Sequence, residues 1–259
     1  MAKRLLTMLC LALLLGSSSL LGVTYAGGEE TATRNTLVPQ HHQHLQAIPT
    51  HSDTEDPTQW TRTYGGTEDD WAWSVIQTAD GGYAFSGSTG SWPNEKAWLV
   101  KTDNNGNEQW TQTYDFSDAT TVIQTTNGGY VLAGFSGGHI GSYSDAWLVK
   151  TNPYGVVQWN RTYNWKDNDE AWSVIQTNDN GFVLGGSSAD FNEHWDGWLV
   201  KTDADGNLEW TRIYGGSAHD HVNAVIQTVD GGFAFVGDTW SYGAGNADGW
   251  LVTTNAMGD

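Results

Sequence analysis

The motif WLVKTD recurs along the chain with a period of about fifty residues. In its clearest copy the motif starts at Trp98 and is followed by Gly106 and Trp110. Related copies begin at Trp147, Trp198 and Trp250. A period of this size indicates that one supersecondary unit is stacked several times, because an irregular domain has no such self-similarity. The repeat therefore constrains the fold more than any other feature of the chain.

Each repeat carries strand signals separated by turn residues. In the first copy the predicted strands are residues 75–78, 83–87, 97–102 and 109–114. The turn Asp80-Gly81-Gly82 predicts a two-residue hairpin, since Asp-Gly supplies the positive φ angles that such a hairpin needs. The third strand is apolar on both faces, with Trp98 and Val100 on one and Leu99 on the other. A two-sided apolar strand favours a sheet that is packed between neighbouring sheets.

Four-stranded sheets packed face to face around an axis are the blades of a β-propeller. The fourth repeat ends shortly after Thr254 and lacks its outer strand, whereas an isolated copy of that strand, residues 60–64, precedes the first repeat. The sequence therefore predicts an all-β, four-bladed β-propeller with four antiparallel strands per blade, closed by the N-terminal strand that completes the last blade. An eight-bladed ring shared by two chains is the alternative, so we expect a monomer or a dimer.

The repeat phrase SVIQTxDGGY…WLVKTDxxGNxxW resembles a repeat of exported archaeal and bacterial β-propeller proteins, and the resemblance covers approximately residues 60–259. The spacing of Asp103, Gly106 and Trp110 is also similar to the tryptophan-docking motif of quinoprotein propellers. The resemblance implies a way of building blades. It implies neither a quinone site nor a particular ligand, because many functions are carried by the same scaffold.

The first residues are typical of a secretory signal peptide. Lys3 and Arg4 precede an apolar run at residues 5–15, and small residues lead to Ala26. We predict a signal peptide at residues 1–26, a flexible polar linker at 27–57 and the propeller at 58–259. A retained anchor is the alternative to cleavage. With cleavage, no transmembrane domain remains and the protein is secreted or associated with the cell surface.

The composition excludes several partners. The 259-residue chain has a net charge of −19, so nucleic acid and anionic lipid are poor ligands. Cys10, in the predicted signal peptide, is the only cysteine, and an exported domain without disulfides must be stabilised by packing. A glycan or a surface protein remains as the expected partner.

Two loop types are expected to emerge on the same face of a propeller: the loop before the first strand of a repeat, which is acidic, and the loop between its second and third strands, which is aromatic. Aromatic rings stack on the apolar face of a sugar while carboxylates accept hydrogen bonds from its hydroxyl groups. The predicted ligand-binding residues are Trp92, Tyr143, Trp195, Trp240, Tyr242, Asp69, Asp70, Asp169, Glu170 and Asp220.

Metal and modification signals are weaker. His219 and His221 flank Asp220 and have the spacing of a pair of zinc ligands on one side of a strand. The turn that contains Asp203 and Asp205 leaves calcium open, although the second copy of this turn has no carboxylate. Otherwise no cofactor is expected. Asn160 begins a glycosylation sequon.

The predicted outer strands carry a Trp-x-Arg-x-Tyr pattern, as in Trp60, Arg62 and Tyr64. The pattern recurs at Trp159 and Trp210, and Gln112 replaces the arginine in the second copy. Because no outer strand has more than one of these arginines, their side chains cannot converge on one ligand as they would in a sialidase. The pattern therefore predicts cation–π packing between blades.

We expect an exported binding or scaffold module of the cell surface or extracellular space, with a glycan or a surface protein as ligand. The sequence leaves enzymatic activity undecided and favours its absence, because no nucleophile elbow or phosphate loop is present. The alternative is an extracellular polysaccharide-acting hydrolase or lyase that uses acidic loop residues at the propeller face. A purely architectural surface protein is the third hypothesis.

Overall fold

The computed structural model describes residues 59–91, 93–137, 143–190 and 194–259. These residues form fifteen β-strands and no helix. The predicted signal peptide, and the linker at 27–57, lie outside the described residues and stay predictions. Within the described ranges, no helix long and apolar enough to cross a membrane is found.

Four successive groups of strands correspond to the sequence repeats. Repeat 1 contains β1 (Asp70–Gln77), β2 (Tyr83–Thr89), β3 (Lys96–Thr102) and β4 (Glu108–Tyr114). Repeat 2 contains β5 (Asp118–Gln124), β6 (Tyr130–Gly137), β7 (Ser144–Thr151) and β8 (Val157–Tyr163). Repeat 3 contains β9 (Asn168–Gln176), β10 (Phe182–Ala189), β11 (Asp196–Thr202) and β12 (Leu208–Tyr214). Repeat 4 contains β13 (Asp220–Gln227), β14 (Phe233–Thr239) and β15 (Asp248–Thr254).

Within each repeat, consecutive strands pair antiparallel. Repeats 2 and 3 join into one sheet through a single parallel pair, Ser144 with Asn168, while repeats 1 and 4 form sheets of four and three strands. The all-β prediction and the strand order of each repeat are confirmed. The described residues form no closed sheet.

The hairpin between β1 and β2 is wider than the sequence predicts. Thr78 N–H donates to the Gly82 carbonyl (2.9 Å), and Gly81 lies at φ 85°, so three residues form the loop. Asp80 explains the difference, because its carboxylate accepts hydrogen bonds from Thr78 Oγ1 and Gly82 N–H and thereby stabilises the longer loop. The prediction of a two-residue hairpin is therefore wrong.

Three apolar cores lie between successive repeats. In each, a leucine of the third strand (Leu99, Leu148 or Leu199, all 0% exposed) packs against the following repeat, where a valine of the first strand (Val122, Val174 or Val225) is at most 3% exposed. Burial of such side chains contributes about 1.5–3 kcal/mol each. The alternation of faces predicted for Trp98, Leu99 and Val100 is confirmed, since Leu99 and the other two residues belong to different clusters.

The two ends of the repeat array lack this cover. Leu251, at the position of Leu199, is 70% exposed, and Val75, at the position of Val174, is 62% exposed. Residues 60–64, expected to form a strand on β15, are not in a strand. The predicted ring closure is therefore not formed in the structure.

Candidate functional site

The two loop types that were expected to share a face lie against each other. Gly90 N–H donates to the Asp69 carbonyl (3.0 Å), and Trp240 N–H donates to the His219 carbonyl (2.8 Å). Between repeats 3 and 4, Asp220 N–H donates to the Trp195 carbonyl (2.7 Å). Backbone hydrogen bonds thus fix the loops relative to one another at the beginning of the first strands.

Three predicted carboxylates stabilise these loops. Asp70 accepts from Gly66 N–H (2.8 Å) and Thr89 Oγ1, and Asp220 accepts from Gly216 N–H (2.9 Å), Ser241 Oγ (2.6 Å) and Thr239 Oγ1. Asp169 accepts from the N–H groups of Trp165 and Lys166 (2.7 and 3.1 Å). Because Asp169 and Asp220 are fully buried and hydrogen-bonded, they have a framework role rather than a free surface for a ligand.

The other predicted residues are spread over the molecule. Asp69 and Tyr143 are exposed, in repeats 1 and 2 respectively, and Asn160 is exposed on β8. Tyr242 stacks near Trp250 (ring centroids 6.3 Å apart) and donates from its hydroxyl to the Gly215 carbonyl (2.7 Å). Trp92 lies outside the described residues. Ligand binding by Asp69 and Tyr143, and glycosylation of Asn160, stay predictions.

Four predicted residues of repeats 3 and 4 come together, and we call Trp195, His219, His221 and Trp240 the Trp–His cluster. The centroid of the Trp240 ring lies 6.2 Å from His219 and 5.9 Å from His221, nearly perpendicular to both. The two imidazoles are parallel and 6.4 Å apart, and Trp195 lies 6.3 Å from His221. Trp240 is 40% exposed. An aromatic surface with nitrogen groups at its centre is therefore open to solvent.

The hydrogen bonds of the two imidazoles restrict what they can bind. His219 Nδ1 accepts from Trp195 N–H (3.2 Å), so the neutral ring carries its proton on Nε2. Nε2 is then a donor and has no lone pair for a metal. His221 Nδ1 lies 2.8 Å from Ser187 Oγ, and burial lowers the pKa of His221, partly offset by Asp238. Burial thus favours the neutral form of His221.

The metal predictions gain no support from the geometry. In the described part of the chain, no three His, Cys, Asp or Glu side chains are grouped to hold a metal ion. The turn carboxylate of Asp203 accepts from Asp205 N–H, Asn207 N–H and Asn207 Nδ2 (2.8–2.9 Å). Asn152 forms the corresponding bonds in repeat 2 without a charge. In both turns the first side chain therefore accepts hydrogen bonds from within the turn.

Glu170 is a further candidate beside the Trp–His cluster. It pairs across the sheet with Ser187, whose hydroxyl contacts His221. Burial, with a contribution from the negative charge of Asp118, raises the pKa of Glu170 to about 7. A carboxyl group that exchanges its proton near neutral pH can donate or accept in contact with a ligand.

The Trp-x-Arg-x-Tyr pattern forms its cation–π contacts within each copy, and its tyrosine contacts the following turn. The guanidinium carbons of Arg62, Arg161 and Arg212 lie 5.5–5.8 Å from the ring centroids of Trp60, Trp159 and Trp210. The tyrosine of each copy donates from its hydroxyl to a glycine carbonyl of the following turn, as Tyr163 does to Gly206 (2.9 Å). Each arginine therefore packs on the tryptophan of its own copy, and the arginines form no common site.

Sequence reasoning did not select Ser187 and Asp238. Both occupy the same position of the second strand and pair with Glu170 and His221, respectively. The signal that could have found Asp238 is the difference between copies, since serine occupies this position in repeats 1 and 3. Strand pairing then places Asp238 beside His221 of the first strand, at a position that also differs between copies.

Comparison with known proteins identifies no relatives: no family model and no curated protein matches the chain. Similar solved structures include Sqt1 from Chaetomium thermophilum (TM-score 0.40, 13% identity, 66% of this chain and 41% of that one) and the beta-1,2-mannobiose phosphorylase from Listeria innocua (0.39, 13%, 70% and 57%). The tail fiber of Staphylococcus aureus phage P68 is similar at a TM-score of 0.29 and 9% identity, over 75% of this chain and 52% of that one. The chain thus spans less than two thirds of the length of each of these structures.

Proposed function

We propose that the protein is an exported binding module and that the Trp–His cluster binds a neutral glycan. The observation that carries the proposal is the exposed Trp240 ring, held perpendicular to two imidazoles in a loop fixed by backbone hydrogen bonds. A sugar ring offers one apolar face and a rim of hydroxyl groups. The cluster offers an apolar ring and polar groups in the same place.

The polar groups at the cluster suit hydroxyl partners. Nε2–H of neutral His219 donates, whereas the carboxylate of Asp238, which is paired with His221 in the sheet, accepts. The negative charge of the chain disfavours an acidic sugar. The ammonium group of Lys166 is engaged by Asp190 and by Asp196, the residue that follows Trp195 (3.6 and 3.3 Å). The expected ligand is therefore an uncharged oligosaccharide, and a surface glycan would also explain export.

The arrangement of the repeats belongs to the same proposal. We infer that the four repeats are blades of a β-propeller, because each has the strand order of a blade and packs on its neighbour through the same residues. In such a ring the loops around the Trp–His cluster would lie on one face.

A titration of the protein with neutral oligosaccharides by calorimetry tests the glycan proposal. We expect Trp240→Ala to weaken binding at least about fivefold, because loss of a contact tryptophan costs more than about 1 kcal/mol. Tyr154→Ala is the control, since Tyr154 is also an exposed aromatic residue but lies in the turn between β7 and β8. Equal affinities of both variants and the unaltered protein would exclude the cluster. Absence of binding to all oligosaccharides would favour an architectural role.

Glu170 supports hydrolysis or elimination on a polysaccharide as a second candidate function. A carboxyl group with a pKa of about 7 is protonated often enough at neutral pH to serve as a general acid. If this function is correct, Glu170→Gln abolishes release of reducing ends from a polysaccharide while oligosaccharide binding persists. Release that is unchanged in the variant would contradict this candidate.

A further inference from the structure

The two end faces of the repeat array expose Leu251 and Val75 at positions whose counterparts are buried at every internal junction. The trailing face is the surface of repeat 4 that contains Ile226, Val236 and Leu251, which are 61%, 46% and 70% exposed. The leading face is the surface of repeat 1 that contains Trp73 and Val75. At the three internal junctions a trailing face packs on a leading face, and the leucine at the position of Leu251 is fully buried. The trailing and leading end faces therefore correspond to the two apolar surfaces that pack together at an internal junction.

Residues 60–64 show where the partner of the leading face must lie. The Trp60 ring lies 5.8 Å from Tyr83, as Trp110 lies 5.7 Å from Tyr130 at the first internal junction. The Tyr64 hydroxyl donates to the Gly106 carbonyl over 2.7 Å, a contact that each later repeat forms with its own tyrosine. The segment thus occupies the place of the outer strand of a preceding repeat.

Among the described residues, this segment has no inner strand of its own to pair with. Repeat 4 has the reverse deficiency, because β15 pairs with β14 but has no outer strand on its other side among the described residues. By the register of β3 and β4, in which Leu99 faces Gln112, a strand at 60–64 would place Arg62 opposite Leu251. Pairing of a segment 60–64 with β15 would therefore give repeat 4 a fourth strand and give the segment its partner.

We propose that a second copy of this chain supplies the contact: the trailing face of each copy packs on the leading face of the other, and residues 60–64 of each pair with β15 of the other. The chain's own two end faces do not meet in the structure. Bringing them together within one chain would require a change at the close-packed internal junctions, whereas a second copy offers both faces without such a change. Two identical junctions related by a twofold axis close the assembly and leave no free sheet edge.

The mass of the full chain in solution, measured by light scattering after size exclusion, tests the proposal. We expect the mass of two chains. Leu251→Glu should convert the protein to single chains, because a charge would be buried at the junction. Leu208→Glu, at an exposed leucine outside both end faces, should leave two chains. A single-chain mass, a mass above two chains, or two chains in the Leu251→Glu variant would overturn the proposal.

Cysteine pairing identifies which chain provides the strand. In a Cys10→Ser background, an equimolar mixture of Arg62→Cys and Leu251→Cys chains, refolded together and oxidised, should give covalent dimers that neither variant gives alone. No covalent dimer in the mixture would overturn the proposal. A chain with both substitutions that forms its disulfide only within itself would also overturn it and would support a four-bladed ring closed by one chain.

Discussion

The outer edge of the repeat array and the loop face around the Trp–His cluster follow opposite rules. At the edge, the copies form nearly the same contacts: a tyrosine bonded to a turn glycine and an arginine over a tryptophan, with Gln112 in place of the arginine on β4. At the loop face, the corresponding position of the first strand is Trp71, Glu170 or His221. Repeated contacts are sufficient to explain the fold, so the residues that differ between copies are those left for binding.

This difference explains why the WLVKTD motif is a poor guide to function. Its lysine is buried: Lys101 Nζ lies 2.8 Å from Asp80 and donates to the Thr102 carbonyl and Gln109 Oε1. Lys201 makes the corresponding contacts with Asp179 and Glu209. The lysine of the motif therefore binds the third strand to the adjacent hairpin and takes no part in the loop face.

The largest expected effect is a loss of folding stability caused by a substitution at the outer edge. Gly206 lies at φ 76°, and a Cβ there would come within 2.7 Å of the Trp159 ring, so we expect Gly206→Ala to lower the free energy of unfolding by about 3 kcal/mol. Gly231 has a similar φ of 87° but open space around it, and Gly231→Ala should cost only about 1 kcal/mol. Urea denaturation measures both, and equal losses would show that the tryptophan contact contributes nothing.

An intermediate effect is expected at the loop face, where Glu170 makes the folding stability depend on pH. The pKa of Glu170 is raised to about 7 in the folded protein and is near 4.3 in the unfolded chain. The folded state then binds more protons between these values, so this group's contribution to stability falls as pH rises from about 4 to about 7, by on the order of 2 kcal/mol. Denaturation midpoints across this range should decline less in Glu170→Gln. Parallel curves for the two proteins would refute the assignment.

The smallest expected effect has the opposite sign and belongs to the repeated hairpins. The hydrogen bond from Lys101, with that from Thr78, lowers the pKa of Asp80 to about 2. Its stabilising contribution is complete above about pH 4 and is lost as pH falls through about 2. Because Asp80 is more than half exposed, the effect is small. Acid denaturation of Asp80→Asn should start from a lower stability and show a shallower decline; identical profiles would contradict this role.

The sequence predicts the strands and the packing faces well because both depend on local periodicity. Leu99 and Val122 have the alternation that places them inside a junction, and Trp159 has the spacing that places it on a turn glycine. The hairpin width depends on the Asp80 side chain, which residue types alone do not reveal. The contact of Ser187 with His221 joins two repeats and has no signal in the spacing of either.

The predicted carboxylates show the same limit. Asp169 and Asp220 were selected for their charge, but their loops fold over them, and only the structure reveals this burial. Glu170, selected for the same reason, pairs with Ser187 and has a perturbed pKa. Carboxyl groups on opposite sides of a strand thus have different roles: Asp169 stabilises its loop, whereas the neighbouring Glu170 is a candidate site residue.

A urea denaturation series with and without a saturating neutral oligosaccharide separates the two regions most directly, because a ligand that binds only the folded state raises the midpoint. Gly206→Ala should start from a low midpoint and still gain stability from the oligosaccharide. Trp240→Ala should start close to the unaltered protein and gain little or nothing. An oligosaccharide-induced shift that is retained in Trp240→Ala, or lost in Gly206→Ala, would contradict the division between a repeated framework and a binding face.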